Sequence, residues 1–269
     1  MLIGNKEFDT KNHTYIMGIL NVTKDSFSDG GKYLKKDAAL KHVEEMINEG
    51  MHILDIGGES TRPGYEPVLA DEEIARVIPV VEAVKARFDI PISVDTQKAV
   101  VAEASVKAGA DLINDIWGLK KDPDMAGVIA RGGVACCLMH NRLEDKYDNL
   151  MDDLCSDLAM CIKLALDAGI SENKIIMDPG IGFAKTTKEN LEVLNNMEML
   201  NSLGLPWLLG VSRKSVIGNT LNLPSDDRLE GTLALTALAV EKRASFVRVH
   251  DIKANKRVID MLEAVYGRN

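Results

Sequence analysis

The chain has 269 residues, 46% of them hydrophobic and 27% charged, with a net charge of −9 and a pI near 5.2. Such a length can bury a large core, and the acidic balance argues against a nucleic-acid coat and against a protein held on an anionic membrane surface. No apolar run reaches the length of a membrane span, and the chain does not open on a basic segment followed by an apolar one, so the expectation is a cytoplasmic protein without a signal peptide.

Short apolar runs alternate with longer amphipathic segments from end to end. The first run, Ile16–Val22, changes character at Asn21 and leads into a polar loop, Thr23–Gly31, with one aromatic residue, Phe27, among small hydroxyls. Helical spacing follows over Asp37–Glu49, where Leu40, Val43 and Ile47 share a face. Further runs are Ile53–Ile56, Ile92–Val94, Leu112–Ile116, Val134–Met139, Ile175–Met177, Trp207–Val211 and Phe246–Val249. The helical patterns between and after them are Asp71–Arg87, Gln97–Lys107, Pro123–Arg131, Leu150–Ala168, Lys188–Leu203, Asp227–Lys242 and Asn255–Tyr266. The four cysteines, Cys136, Cys137, Cys155 and Cys161, include no C-x-x-C pair and no accompanying His cluster, so they read as reduced core residues.

The strand runs are near-continuously apolar rather than alternating, which suits a parallel sheet buried on both faces. Eight such strand–helix units in one chain of this length predict an α/β fold of the (β/α)8 TIM-barrel class, with residues 1–269 as one domain. The rival, a doubly wound open sheet, normally carries a Gly-rich dinucleotide turn after its first strand, and none is present.

The runs stop at Asn21, Asp55, Asp95, Asn114, His140, Asp178, the triplet Ser212-Arg213-Lys214, and Arg248 with His250. Strand ends of a barrel converge on one mouth, so these groups are candidates for one cavity. Asp95 and Asp178 directly end buried runs, and a carboxylate there is costly unless a partner or ligand meets it. Two such acids can serve as acid and base, or can hold the cationic or amidine-like edge of a ligand. Asn114 offers both donor and acceptor groups to a heterocycle. Arg213, Lys214, Ser212 and Ser215 suit an anion, while Lys214 is also placed for Schiff-base chemistry. Arg248 and His250 share a face by period two and read as a second anion pocket. In Gly57-Gly-Glu-Ser-Thr-Arg-Pro-Gly64 the glycines allow close backbone approach, and Thr61 and Arg62 can meet phosphate oxygens.

Taken together, these motifs resemble the dihydropteroate synthase family, folate-pathway enzymes with a TIM-barrel fold. The matching segments are Gly18–Gly31, Asp55–Gly64, Ser93-Val-Asp-Thr96, Asn114-Asp115, Leu138-Met-His140, Asp178-Pro-Gly-Ile-Gly-Phe183, Gly210-Val-Ser-Arg-Lys-Ser215 and Arg248-Val-His250, in the family's order over nearly the full chain. Lys24 stands where the family usually has proline, and Trp117 where smaller residues are more common. The resemblance implies a transferase that joins 6-hydroxymethyl-7,8-dihydropterin diphosphate to 4-aminobenzoate by dissociative substitution. It implies that Asp95, Asn114, Asp178 and Lys214 hold the pterin ring, with Met139, Phe183 and Gly210 lining its pocket. It also implies that Arg62, Arg248 and His250 hold the diphosphate, and that Thr61, Arg62, Pro63 and Ser215 help bind the aminobenzoate under a lid contact from Phe27. Asn21 and Asp29 are implied ligands of a Mg²⁺ cofactor. Asp95, Lys214 and Asn21 are implied to act in the chemistry, and a homodimer is implied as the assembly. Pterin-binding methyltransferase modules share the barrel and some of the acids, but should lack the Asn21–Gly31 pattern and the Arg248/His250 pair.

Overall fold

Near-continuous apolar strands need cover on both faces, and in the computed structural model, which describes residues 1–22, 32–59 and 67–268, they have it. The chain opens with a small antiparallel hairpin, β1 (Leu2–Ile3) and β2 (Lys6–Glu7). Eight parallel strands follow: β3 (Tyr15–Asn21), β4 (Ile53–Gly57), β5 (Ile92–Asp95), β6 (Leu112–Asp115), β7 (Ala135–Met139), β8 (Ile175–Asp178), β9 (Leu208–Leu209) and β10 (Phe246–Val249). Their order in the sheet is β8-β7-β6-β5-β4-β3-β10-β9. A parallel bridge between Met177 and Trp207 closes the ring, and the Met177 amide donates to Pro206 O at 3.0 Å. The result is the expected α/β TIM barrel.

The outer ring is built from α1 (Lys32–Asn48), α2 (Ala70–Arg87), α3 (Ala99–Ala108), α4 (Met125–Gly132), α5 (Leu150–Asp167), α6 (Thr187–Asn195), α7 (Ser215–Leu221), α8 (Leu229–Glu241) and α9 (Ile252–Val265). Local chemistry sets several of their ends. Thr186 and Glu189 form a reciprocal capping box at the start of α6. Gly109 and Gly133 take left-handed conformations at the ends of α3 and α4.

Several features depart from the sequence expectations, among them a strand over Leu208–Leu209 that is shorter than the Trp207–Val211 run. The Lys188–Leu203 pattern is broken at Asn196 into α6 and a 3-10 turn over Met197–Leu203. The Asn196 side chain donates to Glu192 O at 2.8 Å, a local bond that competes with helix continuation. A short helix, α7, follows β9, and the N-terminal hairpin was not expected at all. That hairpin seals the barrel floor: Ile3 is fully buried and Phe8 is 4% exposed, with the Phe8 ring edge-on to Tyr15 at 4.8 Å and 5.8 Å from Phe246.

The core has two parts. The larger lies between the strands and the helices. The smaller fills the barrel floor with Ile3, Phe8, Met17, Ile53, Leu112, Ala135, Cys137, Ile176, Leu208 and Phe246. Side chains alternate along a strand, so the residue two places beyond each floor residue faces the same lumen nearer the mouth. From Ile53, Leu112, Cys137, Ile176, Leu208 and Phe246 those residues are Asp55, Asn114, Met139, Asp178, Gly210 and Arg248. An apolar floor therefore gives way, in one step of two, to a largely polar layer.

Phe8→Ala removes the aromatic plug from that floor and should cost about 3–5 kcal/mol, the usual range for a buried Phe→Ala change. Urea denaturation checks this through a lower midpoint at unchanged m-value.

Candidate active site

Arg248 on β10 reaches across the lumen to two acids on neighbouring strands. Its Nε donates to Asp55 Oδ2 at 2.6 Å and its Nη2 to Asp95 Oδ2 at 2.8 Å. Ser93 Oγ donates to the other Asp55 oxygen at 2.5 Å, so both Asp55 oxygens are engaged. Burial opposes the charge on Arg248, but Asp55 and Asp95 raise its affinity for the proton above the ordinary value. One guanidinium faces two carboxylates here. Burial, opposed by Arg248 and reinforced by Asp55, pushes Asp95 up to about 7. Asp95 Oδ1 is buried and has no hydrogen-bond partner among the described residues.

A second charged pair lies on the other side of the mouth. Asp178 ends β8; its Oδ1 accepts the Gly180 amide at 2.7 Å, and burial raises its affinity for the proton while Lys214 and that amide oppose the rise. Lys214 follows β9, donates to Ile181 O at 2.6 Å and sits 4.8 Å from the centroid of the Phe183 ring. Burial pushes Lys214 down to about 8, against the pull of Asp178. Gly210 leaves room beside both groups, since a Cβ there would lie 3.6 Å from Asp178 Oδ2 and 3.8 Å from Lys214 Nζ. Asn114 is 4% exposed at the end of β6 and Met139 2% exposed at the end of β7.

The Asp178–Phe183 turn needs glycine at one point in particular. Gly180 has φ +67°, and a Cβ there would stand 2.0 Å from His140 O. The turn is thus pressed against the end of β7, where the His140 amide also donates to Asp178 O at 2.8 Å.

The structure brings together Asp95, Asn114, Met139, Asp178, Phe183, Gly210, Lys214 and Arg248 at the C-terminal end of the barrel. His250 stands just past β10, with Nδ1 at 2.9 Å from Ser212 Oγ. Ser215 opens α7 and is exposed, and Asn21 ends β3 and is exposed. Of the two cations in the Ser212–Lys214 triplet, only Lys214 turns toward the site. Arg213 has φ +58° and forks onto Asp251 at 3.1 and 2.6 Å. Lys24, Phe27, Asp29, Thr61, Arg62 and Pro63 lie outside the described residues. Trp117 faces Gln97, to which its Nε1 donates at 2.9 Å.

Several supporting roles carried no signal in the sequence. Asp55, legible only as a strand-end acid, anchors Arg248 and is itself held by Ser93. Glu59 accepts Lys98 Nζ at 2.8 Å, Gln97 Nε2 at 3.0 Å and the Val68 amide at 2.8 Å, so it ties together the two sides of segment 60–66. Such residues become visible only when separate strands are brought side by side.

A TIM barrel with acids, an amide and cations gathered at its strand ends defines a small-molecule enzyme site. The family model described as "Pterin binding enzyme" matches residues 17–250. Over all 269 residues the chain is 57% identical to the dihydropteroate synthase of Clostridium beijerinckii, with both chains fully covered. It is 54% identical to that of Bacillus subtilis over 96% of this chain and 90% of the relative. Among solved structures, a dihydropteroate synthase from Clostridium difficile, crystallised in the presence of pteroic acid, superposes with a TM-score of 0.93 at 47% identity, covering 97% of this chain and 99% of the other. The Yersinia pestis enzyme, solved with a sulfonamide drug complex, gives 0.92 at 41% identity and 99% coverage of both. The chain belongs to the dihydropteroate synthase family of pterin-binding enzymes, which are transferases of folate synthesis.

The raised pKa of Asp95 gives a testable sign. A carboxyl whose folded pKa exceeds its unfolded one near 3.9 stabilises the fold below that value and loses this contribution as pH rises through about 7. Asp95→Asn cannot ionise, so its stability relative to the parent should improve as pH rises from about 4 to 8. Chemical denaturation across that range checks it; a constant difference would refute the assignment.

Proposed function

We propose that the barrel mouth joins 6-hydroxymethyl-7,8-dihydropterin diphosphate to 4-aminobenzoate, giving 7,8-dihydropteroate and diphosphate. The observation that carries this reading is Asp95 Oδ1, a buried acceptor without a partner among the described residues. Such an atom is costly unless a donor meets it. The amino-pyrimidine edge of a pterin is a row of N–H donors, which Asp95 and Asp178 accept, while Asn114 matches positions that both donate and accept. Lys214 donates to the ring's acceptors, and Met139, Phe183 and Gly210 supply the flat apolar walls that a heterocycle needs.

In the reaction, the bond between the methylene carbon and the diphosphate oxygen breaks, and its electron pair leaves with diphosphate. The carbon left behind is a cation delocalised over the dihydropterin ring, and the Asp95 carboxylate places negative charge beside it. The arylamine nitrogen then supplies the electron pair of the new C–N bond and releases its surplus proton. No covalent bond to the enzyme is needed. His250 and the Arg248 Nη1 edge, which neither Asp55 nor Asp95 occupies, face the diphosphate; by sequence Arg62 joins them. Ser215 receives the aminobenzoate; by sequence alone, Thr61, Arg62 and Pro63 are its partners in this and Phe27 the lid contact.

Mg²⁺ fits the residues at the mouth. The Asn21 side-chain oxygen is a hard neutral ligand, exposed at the end of β3, and Mg²⁺ characteristically keeps water and phosphate oxygens as most of its shell. The described residues contain no cluster of three or more His, Cys, Asp or Glu side chains that could hold a metal ion, so Asn21, with Asp29 as a second contributor, would hold the ion jointly with the substrate. When bound it supplies positive charge to the departing diphosphate. No helix of the described residues is long and apolar enough to cross a membrane. Kinship with the named synthases supports a cytoplasmic homodimer acting on these small molecules, with no nucleic acid or membrane partner.

A coupled assay for diphosphate release with both substrates tests the reading: product should form with Mg²⁺ and fall away with chelator. Pterin bound without 4-aminobenzoate-dependent turnover would instead mark a non-catalytic binder. Asp178→Ala and Lys214→Ala should each weaken pterin binding by about 10–100-fold in calorimetry, as expected for losing a hydrogen bond to a charged group.

A further inference from the structure

Lys185 takes no part in the chemistry above, yet its amine is largely buried directly behind the pterin layer. Three groups surround Nζ: His140 Nδ1 at 2.9 Å, Gly180 O at 3.1 Å and Phe183 O at 3.1 Å. The two carbonyls accept only. The role of the imidazole follows from its other side, where His140 Nε2 lies 3.1 Å from Asp157 Oδ2. Arg142 Nε donates to that same oxygen at 2.5 Å and holds Asp157, against its partial burial, below the ordinary carboxylate value. An ionised carboxylate accepts only, so Nε2 carries the imidazole proton. Burial, reinforced by the Lys185 charge, lowers His140 to about 3, so the ring is neutral and Nδ1 is an acceptor. Lys185 therefore meets three acceptors. A charged ammonium has three donors for them, whereas a neutral amine has two. Burial and the Lys214 charge push Lys185 down to about 7, and Asp178 opposes them.

The segment so held is short and dense with function. It starts at Asp178, offers Ile181 O to Lys214 at 2.6 Å and ends with the Phe183 ring against which Lys214 rests. Gly180 O accepts the Phe183 amide at 3.1 Å as well as Lys185. Its backbone is also strained: Ala184, between Phe183 and Lys185, has φ +46°, a conformation that L side chains rarely adopt. Strain of this kind persists only where surrounding contacts over-determine it. Those contacts are the three bonds of Lys185, the bond from Tyr147 OH to Ala184 O at 2.7 Å, and the bond from the Gly182 amide to Asn190 Oδ1 at 2.6 Å.

We infer that Lys185 is a positioning residue of the pterin subsite: its ammonium, oriented by the Asp157–His140 pair, clamps the Gly180 and Phe183 carbonyls and so places Phe183 and the Ile181 carbonyl that together seat Lys214. The inference rests on the reading of this layer as the pterin site. It gives the Asp157–His140–Lys185 relay, which touches no substrate, a defined output at residues that do.

Three measurements on the full chain test it. Lys185→Met should raise the Kd for dihydropterin diphosphate by at least about tenfold while the KM for 4-aminobenzoate stays within about twofold, because the misplacement is confined to one subsite. Lys185→Arg, which keeps the charge and the donors, should stay closer to the parent than to Lys185→Met. In substrate-free protein, amide exchange at Gly182–Ala184 should speed up in Lys185→Met, whatever the site binds. If Lys185→Met does not fold, Lys185→Gln carries the same expectations at smaller size. An unchanged pterin Kd, equal damage to both substrates, or an Arg variant as impaired as the Met variant would overturn the inference. Loss of pterin binding by the parent itself, with exchange still faster in the variant, would instead overturn the functional reading and leave the clamp standing.

Discussion

The site depends on one cation shared between two buried acids. Arg248 spans from β10 to Asp55 on β4 and Asp95 on β5, and so fixes three inward side chains at one level of the lumen. A buried ion pair is weak evidence for stability, because desolvation consumes most of the Coulombic gain. Its value here is geometric. The guanidinium fork sets the orientation of both carboxylates, and Ser93 completes the hydrogen bonding of Asp55. Among the described residues of this site, what remains unsatisfied is Asp95 Oδ1, the second oxygen of the other acid. Removing the arginine would leave two like charges close together in a dry site, so the acids and the cation form a unit.

The same logic extends to the whole polar layer. Three carboxylates, those of Asp55, Asp95 and Asp178, face two cations, Arg248 and Lys214. Burial drives Asp95 and Asp178 toward their neutral forms and the Lys214 amine likewise. The opposite charges counter this, and the imbalance falls on Asp95. A site with one acid poised near neutrality and its acceptors pre-oriented is arranged for a ligand rich in N–H donors and for positive charge developing during reaction. Behind this layer, Lys185 bonds backbone carbonyls and His140 rather than the acids of the mouth, so the buried titratable groups divide into those that line the lumen and those that bond the turn behind it.

Much of the architecture was legible because barrels repeat one simple pattern. Continuous apolar runs of strand length separated by amphipathic helices require a parallel sheet covered on both sides, and the polar residue ending each run marked the mouth. Helix boundaries were less legible. The break at Asn196 depends on a side chain bonding its own backbone, and the shortness of β9 depends on how the barrel closes at Trp207. The N-terminal hairpin has no periodic signature because its strands are only two residues long; burial of Ile3 and Phe8 against the barrel floor holds it.

The sequence by itself determined the strand–helix alternation, the kinship, and the residue types offered at the mouth, since these follow from periodicity and from motifs that are contiguous along the chain. Only the tertiary structure decided which of them work together. Asp55 and Asp95 are both strand-end acids in the sequence and both bind Arg248, yet the fold engages both oxygens of Asp55 and leaves Asp95 with one open oxygen among the described residues. Arg213 and Lys214 are adjacent cations, yet a left-handed backbone turns one out to Asp251 and the other in toward Asp178. Lys185 and His140, 45 positions apart, meet only because parallel strands place β7 beside the turn after β8. Partnership in a barrel is set by neighbouring strands, and burial then converts that neighbourhood into charge states that no local stretch of sequence encodes.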